Sequence, residues 1–87
     1  MRLHNYYKDL LSIVFINIRS LNANFDKLHN FINSAKIKPD IIGVSETWIN
    51  NDRPFIKHLP GYDFIFENSP SNSGGVAFFI SNKLFLQ

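Results

Sequence analysis

Apolar and polar positions follow two different rhythms along this chain. Residues 12–18 (SIVFINI) are almost continuously apolar and β-branched, as expected of a strand covered on both faces. Asn17 interrupts the run near its end. Phe25, Leu28, Ile32 and Ala35 then recur at helical spacing, with Phe31 on the flank and Asp26, Lys27, Asn30 and Asn33 opposite. This predicts a helix over 23–36. Asn22 or Asn24 can cap its start, Lys36 and Lys38 suit its negative end, and Pro39 stops it. Residues 40–46 return to a short apolar run with β-branched Ile41, Ile42 and Val44, and Glu46 falls where this strand should finish. Strand, helix, strand is a βαβ unit with a parallel pair, right-handed in about 98% of cases. Both strands then end on the same rim, which brings Asn17 and Glu46 into one neighbourhood.

The second half of the chain reads differently. A polar loop over 50–54 leads to a single helical turn over 55–59, and Pro60-Gly61 signals a turn. Residues 62–67 alternate, with Tyr62, Phe64 and Phe66 on one face and Asp63, Ile65 and Glu67 on the other, which is the pattern of a half-exposed strand. Residues 68–75 have loop composition. Residues 74–80 form another apolar run, expected to pair antiparallel with the previous strand. Residues 1–11 are mixed polar and aromatic and are expected to be a flexible lead-in, leaving 12–87 as the folded part.

Composition narrows the class. The chain has 87 residues, 45% hydrophobic and 18% charged, with nine Phe, three Tyr and one Trp. That suits one small α/β domain with a packed core. A net charge of +2, with Lys and Arg scattered, makes no nucleic-acid footprint by itself. The absence of Cys excludes disulfides and thiolate metal sites and is compatible with an intracellular setting. No apolar run approaches the roughly 20 residues of a membrane span. The chain finishes inside an apolar run, Leu84-Phe85-Leu86-Gln87, and is expected to be a piece of something longer.

Few residues could carry chemistry. Glu46 could ligate a hard divalent cation such as Mg²⁺, which takes one or two carboxylates and fills its shell with water and phosphate oxygens. A solvated or salt-bridged strand-end Glu has the same sequence signature. Asn17 could orient Glu46 or donate to a phosphate oxygen, or it could simply cap a loop. Gly74-Gly75 could admit a phosphate, although such a pair more often leads into a strand, and no nucleotide-loop signature is present. His4, His29 and His58 lack metal-ligand spacing. Trp48 reads as a core or rim anchor.

Four segments taken in order carry a resemblance: Phe15-Ile16-Asn17-Ile18-Arg19-Ser20-Leu21, then Pro39-Asp40-Ile41-Ile42-Gly43-Val44-Ser45-Glu46-Thr47-Trp48, then Pro60-Gly61-Tyr62, then Gly74-Gly75-Val76-Ala77. Over about residues 12–80 they resemble the endonuclease/exonuclease/phosphatase superfamily, and within it the apurinic-like endonuclease domain of non-LTR (LINE-type, jockey-like) retrotransposons. The resemblance implies the N-terminal half of a four-layered α/β sandwich, a βαβ unit followed by an antiparallel strand pair. It also implies a parent protein that cleaves DNA phosphodiester bonds with Mg²⁺ to prime reverse transcription in the nucleus.

Asn17 matches the family's active-site Asn and Glu46 its metal-binding Glu, making both the expected catalytic residues. The family's later Gly-Asp-Phe-Asn and Ser-Asp-His motifs do not occur in these 87 residues, and Arg19 stands where several relatives carry an acid or amide. The chain alone is therefore expected to be inactive, to bind Mg²⁺ weakly and to self-associate through exposed sheet. The alternative expectation is a non-catalytic relic or interaction fragment that binds through an open sheet edge.

Overall fold

The computed structural model describes residues 2–8, 11–69 and 73–85. The elements run β1 (Arg2–Lys8), β2 (Leu11–Asn17), α1 (Leu21–Ser34), β3 (Ile41–Ser45), β4 (Tyr62–Phe66), β5 (Val76–Ser81) and a 3₁₀ turn (Asn82–Phe85). The strands form one sheet in the order β1-β2-β3-β5-β4. β2 and β3 are parallel neighbours, with Ile13 opposite Ile41 and Asn17 opposite Ser45. This is the βαβ unit that the sequence predicts. β5 runs antiparallel to both β3 and β4, so the last strand in sequence is inserted in the middle of the sheet.

Register explains the core. Val14 and Ile16 of β2, Ile42 and Val44 of β3, and Ala77 and Phe79 of β5 share one sheet face. Leu21, Phe25, Leu28 and Ile32 of α1 are buried in the same apolar cluster. The helical stripe and the strand alternation meet on that face, as amphipathic periodicities require. Phe55 extends the cluster, lying 5.2 Å from the Phe25 ring and 5.1 Å from Phe64.

Among the described residues the opposite face is partly exposed. Phe15, Gly43, Phe78 and Ile65 form a row across four strands, and Phe15, Val76, Phe78 and Ile65 are 39–56% exposed. Gly43 makes the row possible: a Cβ there would come within 2.7 Å of the Phe15 ring.

Four sequence expectations are corrected. Arg2–Lys8, expected to be a flexible lead-in, pair antiparallel with β2 over Arg2 to Lys8; an edge strand needs no apolar period to join a sheet, because backbone pairing holds it. The helix begins at Leu21, two residues earlier than expected, because Ser20 caps it: the Ala23 N–H donates to Ser20 Oγ at 3.1 Å. Residues 55–59 form no helical turn. Pro54 and Pro60 bracket too few residues to nucleate one, and burial of Leu59 together with packing of Phe55 holds the segment against the core. The helix also ends at Ser34, two residues before the expected 36 and ahead of Pro39, because Ala35 turns to extended backbone; Lys38 Nζ donates back to the Ile32 and Asn33 carbonyls at 2.7 and 3.2 Å. The expected 68–75 loop and the apolar C-terminal run lie partly outside the described residues.

Candidate active site

Three loops meet where β2 and β3 end and β5 begins. Backbone hydrogen bonds join them: Ser20 N–H to the Glu46 carbonyl at 2.8 Å, Leu21 N–H to Thr47 at 3.0 Å, Thr47 N–H to Gly75 at 3.3 Å and Trp48 N–H to Gly74 at 2.9 Å. Left-handed backbone is concentrated here. Arg19, Ser20, Glu46 and Trp48 have φ of 47°, 78°, 57° and 58°, values uncommon for residues with a Cβ and costly unless the surroundings impose them. Gly75, at φ 91°, meets a second constraint. A Cβ there would lie 2.6 Å from Thr47 Oγ1, so the strand can approach this closely only through glycine.

The crossover brings Asn17 and Glu46 to the same rim. Asn17 closes β2 opposite Ser45, and Glu46 is the next residue after Ser45. Asn17 Oδ1 is buried without a hydrogen-bond partner, an expensive state for a polar atom unless something is meant to meet it. It lines a concavity of about 290 Å³ between Phe15, Gly43, Ser45, Val76 and Phe78. Glu46 is half-buried, and Trp48 Nε1 donates to its Oε1 across 3.5 Å. Thr47, between them, turns inward and is fully buried, with Oγ1 unpaired.

These donors are all oxygens, and that chemistry suits a hard cation. They make part of a shell. Among the described residues no three His, Cys, Asp or Glu side chains cluster to hold a metal, and no described helix is long and apolar enough to cross a membrane. Arg19 is exposed on the rim. Asn24, considered as a cap, instead donates to the Ile18 and Arg19 carbonyls at 2.9 and 2.8 Å and fixes the loop beside Asn17. His29 packs on Phe25 with ring centroids 5.8 Å apart, and His58 is exposed in a loop. Neither joins the rim, and the side chain of His4 lies outside what is described. Trp48 is the rim residue that sequence reasoning undervalued. No sequence signal marks it, because left-handed backbone at Glu46 and Trp48 sets the two side chains beside each other.

The class defined by this architecture is a piece of the AP endonuclease fold. An AP endonuclease from Archaeoglobus fulgidus superposes with a TM-score of 0.67 at 27% identity, over 82% of this chain and 27% of that one. The catalytic domain of Xenopus laevis APE2 gives 0.58 at 29% identity, over 79% and 23%. The 3′ phosphatase NExo from Neisseria, in a structure bound to product DNA hairpin, gives 0.60 at 21% identity, over 78% and 26%. The chain thus spans about a quarter of the length of the solved structures it matches. No protein-family model matches it, and no curated protein does.

Proposed function

We propose that this chain carries one half of a cation-assisted phosphodiester-cleaving site, in a protein that acts on DNA. The observation that carries the reading is the unpaired, buried Asn17 Oδ1 on the same rim as Glu46. Glu46 would hold the cation, a hard ion such as Mg²⁺, and Asn17 Oδ1 would accept a hydrogen bond from a metal-bound water. The cation would neutralise charge developing at phosphorus. The similarity to an AP endonuclease and to the APE2 catalytic domain supports a nuclease, and the sequence motifs favour a retrotransposon endonuclease within that class.

The 87 residues alone are inactive on this reading. A carboxylate and an amide supply no general base beside the attacked phosphate, and single catalytic groups of this kind contribute about 10²- to 10⁴-fold each. The exposed Phe15, Phe78 and Ile65 row favours self-association of the purified chain, read as a concentration-dependent elution volume in gel filtration. The test of activity is nicking of supercoiled plasmid with Mg²⁺. Wild-type 1–87 leaves the plasmid intact, and a longer protein containing this segment nicks it unless it carries Glu46→Gln. Nicking by 1–87 that disappears in Glu46→Gln would overturn the half-site reading, and undiminished nicking by the longer Glu46→Gln protein would remove Glu46 from the site.

A further inference from the structure

The geometry points to Trp48 as a positioning residue: its indole N–H holds one oxygen of the Glu46 carboxylate, so that the other faces the rim shared with Asn17. This deepens the cation reading given above and rests on it.

The argument begins with the backbone. Glu46 and Trp48 both take left-handed φ, 57° and 58°, and each is pinned by a neighbouring loop. The Glu46 carbonyl accepts from Ser20, and the Trp48 N–H donates to Gly74. Thr47 is buried between them, with its N–H on the Gly75 carbonyl. The backbone is therefore fixed by two neighbouring loops, and the two outward side chains are set beside each other. A bulky aromatic residue in left-handed backbone is a costly choice, and nothing in the apolar core requires it, since Trp48 stands outside the buried cluster.

A free glutamate has three rotatable bonds, and ordering them costs entropy whenever a cation binds. The Trp48 Nε1 to Glu46 Oε1 contact, at 3.5 Å, is long. It biases the rotamer before any ligand arrives, and among the described residues nothing occupies Oε2. Hydrogen bonds that orient a ligating carboxylate typically change metal affinity by about 10- to 100-fold, and a contact of this length belongs at the lower end.

Because Trp48 is the sole tryptophan, its indole N–H gives one resolved signal in a ¹H–¹⁵N spectrum of the 87-residue chain. Glu46→Ala moves that signal and speeds its exchange with water several-fold, whereas Asn17→Ala leaves it in place. An indole signal unmoved by Glu46→Ala overturns the contact while leaving the cation reading intact. Mn²⁺ is then titrated against wild type and Trp48→Phe, which keeps a ring and removes the donor. Paramagnetic broadening at the Ser45 and Glu46 amides requires about tenfold more Mn²⁺ in Trp48→Phe, whose dispersed spectrum shows that it is folded. Equal Mn²⁺ dependence in the two proteins overturns the positioning role. Absence of broadening in wild type, with the indole shift present, overturns the cation reading instead.

Discussion

β3 has a carboxylate at each end, and the two are used in opposite ways. Asp40, before the strand, is committed to the backbone. Its Oδ2 accepts the Ser12 N–H at 2.9 Å, its own N–H donates to the Ser12 carbonyl at 2.9 Å, and its carbonyl accepts the Ser81 N–H at 2.8 Å. Beside it, Tyr62 donates its hydroxyl to the Pro39 carbonyl at 2.6 Å. That end of the sheet is closed. Glu46, after the strand, meets one long indole contact and sits on left-handed backbone near two buried oxygens that lack partners. A rim that satisfies its polar groups contributes stability, and on the function proposed above the unsatisfied groups of the other rim are kept for a ligand.

Substitutions should separate the two ends. The largest stability loss is expected from Gly75→Ala, where strain at φ 91° adds to a clash with Thr47 Oγ1; chemical denaturation should show a cost of about 3 kcal/mol. This would show that the Glu46 rim is shaped by its backbone. Asp40→Ala follows, at about 2 kcal/mol by the same measurement, for losing a charge-assisted hydrogen bond to a backbone N–H.

Tyr62→Phe removes one buried hydrogen bond and should cost about 1 kcal/mol. It also carries a pH signature. Burial, and secondarily the charge on Asp40, raise the Tyr62 pKa above its ordinary 10.0. A group that holds its proton more tightly when folded contributes stability below its unfolded pKa and loses it as pH rises through the folded value. Wild type should therefore lose stability progressively above about pH 10, and Tyr62→Phe should lose less over that window.

The smallest effects belong to the candidate site. Asn17→Ala and Glu46→Gln should each change stability by no more than about 0.5 kcal/mol, because neither removes a satisfied buried interaction. Asn17→Ala could even stabilise by deleting an orphaned acceptor. A large loss from either would move that residue to the structural side of the comparison.

The residues made some of this legible and hid the rest. The β2–α1–β3 crossover could be read because each element carries its own period, and a right-handed crossover then places Asn17 and Glu46 on one rim without further information. The insertion of β5 between β3 and β4 could not be read, since pairing partners are chosen by long-range register and the 74–80 run is compatible with several neighbours. β1 escaped because edge strands owe their place to backbone hydrogen bonds. The role of Trp48 depends on two left-handed residues that only the meeting of three loops enforces, and local propensity gives no sign of them.

The most direct test of the contrast between the two ends is a Mg²⁺ titration followed through backbone amide shifts and read at both ends of β3. The account predicts saturable shifts at Ile18, Glu46 and Thr47, abolished by Glu46→Gln, with Ser12, Asp40 and Ile41 unmoved. Shifts centred on Asp40 that persist in Glu46→Gln would contradict it.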